Sequence, residues 1–415
     1  KLNYVVNPEL ELQFGLDWRT AGIEHAREVR DLLGGDYYVD YADDNFAEGK
    51  VVKLGDIIAY HNETTVDWIG GFAQFNYTTD KMNLYGMGGL SSIEYSYQDW
   101  FTVEQELVKA DPIQTYQVKG GALYNVSDNL GVFINTGLVE KAPILDNVID
   151  YSGNVATDPD NEKFLHNEIG ANFGTQKLGV RVSAYDTDWQ DRNLTKSVST
   201  GQGSSGDTDI IFLKGVNQKH QGLELETKVK PNDMVELDFI ASFGNWKFDG
   251  DADGTYQEQE YNDENQVIGV TTTEYSYALD GLYVGDMPQT SYIFGLTVKP
   301  VKGLRLQALY KTYDRNYADW SPDSREIEGD ADRAQVWEAP GYSKLDLHAS
   351  YKLPIKGYDI SLTGHIFNAL DDVFVQDAVD NSKYNGWGDK VHAPHNAEVF
   401  LGTPRYANIG VSINF

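Results

Sequence analysis

The sequence of 415 residues contains no cysteine, which excludes disulfide bonds, thiolate metal sites and cysteine nucleophiles. Basic residues are scarce as well, because 33 Lys and Arg stand against 64 Asp and Glu and leave a formal net charge of −31. Since nucleic-acid binding requires a basic surface, this balance argues against a nucleic-acid partner. No run of 18 consecutive apolar residues occurs, so we expect no transmembrane helix, and Lys1–Asn7 lacks the pattern of a signal peptide.

What the chain does contain is hydrophobic alternation with a period of two, which predicts β-strands with one apolar and one polar face. Less regular segments of the same kind raise the expected total to roughly 13 to 16 strands. The main competing pattern is Glu24–Leu33, which predicts a helical turn that ends at Gly34-Gly35. The clearest alternating segments are Gly222–Lys230, Met234–Phe243, Lys344–Leu353 and Tyr406–Phe415.

Short turns alternate with long acidic connections along the chain. This layout is typical of an outer-membrane barrel, whereas a soluble β-sandwich has medium loops at both ends. We therefore predict an all-β chain that forms a transmembrane antiparallel outer-membrane β-barrel with long extracellular loops. A soluble β-sandwich or propeller is the alternative. The long connections are Thr20–Asp56, Leu145–Lys163, Asp249–Val267, Ala318–Pro340 and Val373–Thr403.

The last fifty residues carry a specific resemblance. His365–Phe374 resembles the Asn-Leu-Phe-Asp-x-x-Tyr motif that precedes the final strand of TonB-dependent outer-membrane receptors, although Ala369-Leu370 replaces Leu-Phe and Phe374 replaces Tyr. Gly402–Arg405 and the following segment resemble the Gly-x-Pro-Arg sequence and the closing strand of that family. Near the start, the segment from Gly15–Arg19 through Asp31–Tyr38 is similar to receptors of the Bacteroidota-type branch. The motif residues are Asn368, Asp371, Gly402, Pro404, Arg405 and Phe415.

The resemblance implies an outer-membrane transporter that takes up a scarce nutrient, such as a siderophore, cobalamin, an oligosaccharide or a peptide. The implied energy source is the TonB-ExbB-ExbD system, which acts through a plug domain. Further implied partners are outer-membrane lipids, the barrel-assembly machinery and a SusD-like lid lipoprotein.

Neither the family's plug nor its TonB box is found in residues 1–415, and the family's barrel has about 22 strands. We therefore expect these residues to be the C-terminal portion of such a barrel. Other polypeptide would close it, because bare strand edges are not viable in lipid.

The sharpest metal-binding pattern is Asp249–Glu260, which fits the calcium-loop consensus D-x-[DN]-x-[DN]-G-x5-E. Carboxylate oxygens around a turn that glycine permits suit Ca²⁺, so this segment is a candidate calcium site. The flanking segments predict strands rather than the helices of an EF-hand, which leaves a solvated acidic loop as the alternative. The candidate ligands are Asp249, Asp251, Asp253, Thr255, Gln257 and Glu260.

Other candidate residues lie in the long loops. Two histidines, His392 and His395, are candidate ligands of a transition metal, although Pro394 between them prevents helical spacing. No nucleophile and base occur in a recognisable arrangement, so we predict no enzymatic activity. Two other classes stay open, a secreted calcium-dependent β-sandwich adhesin or carbohydrate-binding module, and a passive porin-like channel. Four loop aromatics could stack on a ligand or pack the loops together, namely Trp320, Trp337, Tyr384 and Trp387.

Overall fold

The structure is a computed structural model, and it describes residues 1–102, 106–149, 153–156, 159–199, 208–261, 267–327, 331–355, 357–382, 384–386 and 390–414. The secondary structure is almost entirely antiparallel β-strand, which confirms the prediction from the period-two alternation. The chain divides into two compact units, the first made of Lys1–Tyr77, Tyr85–Gly120 and Gly137–Lys163, and the second of Thr78–Leu84, Gly121–Thr136 and Phe164–Phe415.

The strands differ widely in length. Those in the first part of the chain are β1 (Leu2–Asn7), β2 (Leu10–Glu28), β3 (Tyr38–Asp40), β4 (Lys50–Val52), β5 (Ile57–Thr78), β6 (Met82–Asp99), β7 (Val108–Lys109), β8 (Ile113–Ser127) and β9 (Leu130–Lys141). They are followed by β10 (Glu162–Gly174), β11 (Leu178–Ser199), β12 (Thr208–Asn232), β13 (Val235–Phe248), β14 (Ala252–Tyr261), β15 (Val267–Tyr277), β16 (Thr290–Val298) and β17 (Leu304–Asp314). The last are β18 (Asn316–Tyr317), β19 (Glu338–Ala339), β20 (Tyr342–Lys352), β21 (Asp359–Phe367), β22 (Val375–Val379), β23 (Glu398–Leu401) and β24 (Tyr406–Asn414).

Helices are short in the described part of the chain. One 3₁₀ turn covers Leu145–Asn147, and one α-helical turn, α1, covers Pro322–Arg325. Among the described residues, no helix has the length and apolarity that a membrane crossing requires.

In the first unit, β2 pairs with β1 on one side and with β5 on the other. The predicted helical turn at Glu24–Leu33 is wrong, because β2 continues through this segment to Glu28 and the residues that follow form no helix. Its register includes Glu24 opposite Glu63 and Arg27 opposite Ile58. The neighbouring strand provides hydrogen-bond partners for the backbone N–H and C=O groups of this segment, whereas an isolated helix of this length has only marginal stability in water.

The second unit is built on a run of antiparallel strands in the order β11, β12, β13, β16, β17, β20, β21 and β24. One face of this sheet is polar, as at Asp346, which is buried, and the other is apolar and open. The alternation in Lys344–Leu353 is thus confirmed, but its apolar side is exposed rather than buried, which is the inverse of a soluble sheet. Exposed apolar residues of these strands include Leu223, Leu237, Phe294, Leu306, Leu347, Ile366 and Ile409.

The largest buried apolar cluster of the second unit lies where its strands meet the long connections. We call residues 278–289, 315–341 and 368–405 the loop cluster. Two small hairpins, β18–β19 and β22–β23, give it regular structure. Backbone hydrogen bonds from Asp319 N to Ala378 O and from Asp380 N to Asp319 O join the segments. The buried residues are Leu213, Val216, Phe248, Ala252, Tyr277, Leu279, Leu282, Tyr317, Trp320 and Val336.

Candidate functional site in the loop cluster

Trp320 is the centre of the loop cluster's core. Its side chain is 1% exposed and contacts the rings of Phe248 and Tyr277, with centroids 6.4 and 5.7 Å away. Lys196 lies over the same indole and forms an ion pair with Asp319. Burial of these aromatic rings supplies hydrophobic free energy that holds the segment 315–341 against the ends of β13 and β15.

The four predicted ligand-stacking aromatics therefore have different environments. The structure places Trp320 in the packed core, where its ring serves to hold the loops together. Trp337 is half-buried and its carbonyl accepts a hydrogen bond from Ala318, whereas Tyr384 is 73% exposed. Trp387 lies outside the described residues. Of the four, Trp337 and Tyr384 retain ring surface that a ligand could contact.

A buried ionic cluster lies in the same loops and involves one of the two predicted histidines. The side chain of Arg325 is 0% exposed and that of Asp380 is 1% exposed. His392 bridges two carboxylates, with Nδ1 2.5 Å from Asp380 Oδ2 and Nε2 2.9 Å from Asp332 Oδ2. Arg325 also donates to the carbonyls of Asp332 and Ala334. Two cations thus face two carboxylates, an arrangement that offsets the cost of burying charge.

The pKa values in this cluster follow from these contacts. The hydrogen bond to Asp380 is the largest effect on His392 and, with that to Asp332, raises the pKa of this imidazole above its ordinary 6.5 despite burial. Burial would raise the pKa of Asp332, but the hydrogen bonds from His392 and from Ala334 N lower it overall. Burial lowers the pKa of Arg325. His392 therefore carries a positive charge when both of its nitrogens donate.

Sequence reasoning singled out His392 as a metal ligand and missed its partners. Asp380, Asp332 and Arg325 are 12, 60 and 67 residues away from it, and no local pattern links such positions. Both ring nitrogens of His392 already contact carboxylates, so a metal ion would have to displace one of these contacts. His395 is exposed. In the described part of the chain, no group of three or more His, Asp or Glu side chains could hold a metal ion.

The predicted calcium segment adopts a different backbone from the expected loop. From Ala252 onward it is strand β14, which pairs with β15 and, through Ile211 opposite Tyr256, with β12. The prediction of a long connection over Asp249–Val267 was therefore wrong, because ladder hydrogen bonds extend the sheet there. Successive side chains of a strand point to opposite faces, so they do not converge on one point as in an EF-hand loop.

Individual calcium candidates have other partners in the structure. Asp251 forms a two-point salt bridge with Arg333, at 2.9 and 2.7 Å, and also accepts the N–H groups of Leu279 and Asp280. The hydrogen bonds from Arg333 are the main cause that lowers the pKa of Asp251 to about 2. Asp253 accepts from Ser276, Asp249 is exposed and Thr255 is half-buried. The side chains of Gln257 and Glu260 lie outside the described ones, and calcium binding stays a prediction.

The motif residues near the C-terminus form one connected turn. Asn368 is 3% exposed and has a positive φ of 47°. Its side chain donates to the carbonyls of Asp372 and Thr403 and accepts from Asp372 N, while its own N–H donates to Asp346. Asp371 pairs with Arg405. These contacts join the end of β21 to the start of β24, with Pro404 in the segment between β23 and β24.

Gly402 lies directly against the ring of Phe374. A Cβ at this glycine would lie 2.0 Å from Phe374 Cζ, and the ring of Tyr342 stacks on the same phenyl ring with centroids 4.3 Å apart. Only glycine fits this position without displacement of the ring. Phe415, the last motif residue, lies outside the described residues.

A family model described as "TonB dependent receptor-like, beta-barrel" matches residues 2–369, which is well over half of the chain. The chain belongs to the TonB-dependent receptor β-barrel family. The family to which the sequence motifs pointed is thereby confirmed, as is the predicted barrel fold, although the matched residues end before most of the C-terminal motifs. Members of this family are receptors and transporters in barrels of the outer membrane.

Solved structures of such receptors share the fold. The copper transporter OprC is 14% identical with a TM-score of 0.61, and the match covers 99% of this chain and 55% of that one. The ferric citrate transporter FecA is 13% identical (TM-score 0.60; 99% and 53% covered), and the ferric yersiniabactin receptor FyuA from Yersinia pestis is 12% identical (0.57; 99% and 52%). The chain thus spans about half the length of these relatives. No curated protein matches it in sequence.

Proposed function

We propose that this TonB-dependent receptor barrel takes up a scarce nutrient across the bacterial outer membrane, with energy from TonB-ExbB-ExbD. The observation that carries the proposal is the two-faced sheet of the second unit, whose apolar face is exposed. An open apolar face of this extent suits a lipid environment, and the polar face suits a solute pathway. The plug through which TonB acts belongs, in this proposal, to polypeptide outside residues 1–415, which form the C-terminal portion of a 22-stranded barrel.

The loop cluster is the proposed selecting surface. Trp337 and Tyr384 offer aromatic surface, and the acidic side chains around them disfavour anions unless cations bridge them. The candidate nutrients are a siderophore, cobalamin, an oligosaccharide and a peptide. Further proposed partners are the barrel-assembly machinery and, if the protein is of the Bacteroidota type, a SusD-like lid lipoprotein over the loop cluster.

Membrane fractionation and uptake measurements test this proposal. The protein should fractionate with outer membranes, need detergent to stay soluble and migrate on gels in a heat-modifiable way. Cells that express it should accumulate one radiolabelled nutrient of the four classes, and accumulation should stop when TonB is deleted. Uptake that persists without TonB would instead indicate a passive porin-like channel. Solubility without detergent would indicate the adhesin or carbohydrate-binding module.

A further inference from the structure

A row of four polar side chains crosses four neighbouring strands of the second unit. Gln307 of β17 lies opposite His348 of β20, His348 lies opposite His365 of β21, and His365 lies opposite Asn408 of β24. Paired residues of antiparallel strands project from the same face, so these side chains share the polar face of the sheet. The row therefore consists of two central imidazoles with one amide on each side.

The two imidazoles approach each other through their Nδ1 atoms. These atoms are 2.8 Å apart, and the rings are inclined at 60° with centroids 5.0 Å apart. Each neutral imidazole has one nitrogen with a lone pair, which is the form that binds transition metals. The pair is therefore either one N–H···N hydrogen bond or two ligands of a shared ion.

The distance between the two nitrogens is compatible with a shared metal ion as well as with a hydrogen bond. With metal–nitrogen bonds of about 2.05 Å, a right-angled pair of ligands has its nitrogens about 2.9 Å apart, and a tetrahedral pair about 3.3 Å. The observed 2.8 Å is close to the right-angled value. Right-angled ligand pairs occur in octahedral, square-planar and tetragonal sites, and among the divalent first-row ions Cu²⁺ binds imidazole most tightly.

Aromatic neighbours hold the two rings in place. Phe367 contacts both imidazoles, at 5.5 Å from His348 and 6.0 Å from His365, and is itself stacked on Tyr406 at 4.7 Å. Asp346, two residues before His348 on the same face of β20, forms an ion pair with Lys311 at 2.8 Å, and the guanidinium of Arg305 also lies near His348. A metal bound by this pair would complete its coordination with water.

We propose that His348 and His365 bind one Cu²⁺ ion as neighbouring ligands through Nδ1, with water at the remaining positions. The amides of Gln307 and Asn408 lie where they can form hydrogen bonds with those waters. This site is separate from the loop cluster, and its existence does not depend on which nutrient the protein takes up.

Electron paramagnetic resonance of the purified full-length protein in detergent, with one equivalent of CuSO₄, tests the site. The wild-type spectrum should show hyperfine splitting from two nitrogens. His348→Gln and His365→Gln should each reduce this to one nitrogen and weaken copper binding in calorimetry by roughly tenfold or more. His220→Gln is the matched control, since His220 also lies on a strand but stacks on Trp246, and it should leave the spectrum unchanged.

A two-nitrogen spectrum that survives both substitutions would overturn the proposal, as would the same change in the His220→Gln control. Wild-type protein alone provides a second measurement, which does not depend on the folding of variants. Ascorbate with substoichiometric Cu²⁺ oxidises side chains close to the bound metal, so peptide mass spectrometry should find the first oxidation at His348 and His365. First oxidation at another histidine would contradict the site.

Discussion

Asp371 accepts two hydrogen bonds from Arg405, which is 34 residues later in the chain. The backbone N–H of Arg405 lies 2.9 Å from Oδ1, and its guanidinium Nη2 lies 3.3 Å from Oδ2. Both side chains are about half exposed, so water competes with both contacts. The relationship gives two motif residues a physical role, because it fixes the entry of the chain into β24.

Asp371→Ala should therefore destabilise the protein more than Arg405→Ala does. The first removes both hydrogen bonds from a residue with a positive φ of 60° and should cost about 1–2 kcal/mol. The second removes the exposed ion pair and a long hydrogen bond from Nη1 to Ala369 O, at 3.4 Å, and should cost about 0.5 kcal/mol. Equilibrium unfolding in urea, with the protein in detergent, measures both. A double-mutant cycle should give a side-chain coupling below about 1 kcal/mol, and equal costs for the two single variants would contradict this assignment.

Asn368 combines a positive φ with buried side-chain hydrogen bonds, and two substitutions separate these contributions. Asn368→Gly keeps the backbone conformation accessible and loses only the hydrogen bonds, at a cost of about 2 kcal/mol. Asn368→Ala adds backbone strain and should cost about 1 kcal/mol more. Urea unfolding of the two variants checks the order, and an alanine variant as stable as the glycine variant would show that backbone strain is unimportant here.

Gly402→Ala should destabilise the turn, because the added methyl group displaces the Phe374 ring, on which Tyr342 is stacked. The expected cost is about 1–3 kcal/mol. Gly364→Ala on β21 is the matched control, since a Cβ there meets nothing within 4 Å, and it should change stability by less than about 0.5 kcal/mol. Phe374→Leu should recover part of the loss in the Gly402→Ala background. Equal effects of the two alanine substitutions would disprove the steric explanation.

His392 should make the stability of the loop cluster depend on pH. Its folded pKa is above 6.5, so its contribution is complete below about pH 6.5 and is lost as pH rises through the raised value. The stability difference between wild type and His392→Gln should thus be largest near pH 6 and decrease at higher pH. Chemical unfolding over a pH series measures it. A difference that grows with pH would mean that the imidazole is buried in its neutral form.

The buried partners of His392 should matter more than any surface pair. Asp380→Asn leaves Arg325 with one charged partner fewer in a site from which water is excluded, and should cost about 3–5 kcal/mol. Arg405→Ala, at an exposed ion pair, is the control with a small effect. Hydrogen exchange of residues 315–327 should accelerate in Asp380→Asn, and unchanged exchange there would contradict a structural role of the cluster.

Calcium binding by Asp249–Glu260 is testable on the same protein. In the structure Arg333 occupies both carboxylate oxygens of Asp251, so Ca²⁺ would have to displace it. If calcium binds, calorimetry of the wild-type protein should record heat of binding, and this heat should disappear in Asp251→Ala. In Arg333→Ala the affinity for calcium should increase. No heat with any of the three proteins would end the hypothesis, and the segment would be a strand held by a salt bridge.

The sequence predicted what depends on local pattern. Alternation in Lys344–Leu353 is visible within ten residues, and β20 forms there. The helical spacing in Glu24–Leu33 is also local, but the helix predicted from it was wrong. This segment instead pairs with β5, whose residues are some forty positions later in the chain. The same cause converted part of Asp249–Val267 into β14, whose pairing with β12 cannot be inferred locally. His392 could be noticed as a histidine, whereas its pairing with Asp332 and Arg325 depends on how three separate loops pack.

The exposed apolar face also has a consequence for the thermodynamics of unfolding. Heat capacity rises on unfolding mainly because apolar surface becomes hydrated, by about 12–15 cal/mol/K per residue in soluble proteins. In this chain the apolar side chains of β16, β17 and β20 are already outside the packed interior when it is folded. Detergent covers that face before and after unfolding, so newly hydrated apolar surface comes from the buried clusters, such as the one around Trp320. We expect a smaller heat-capacity increment per residue and a flatter dependence of stability on temperature than in a soluble protein of this length.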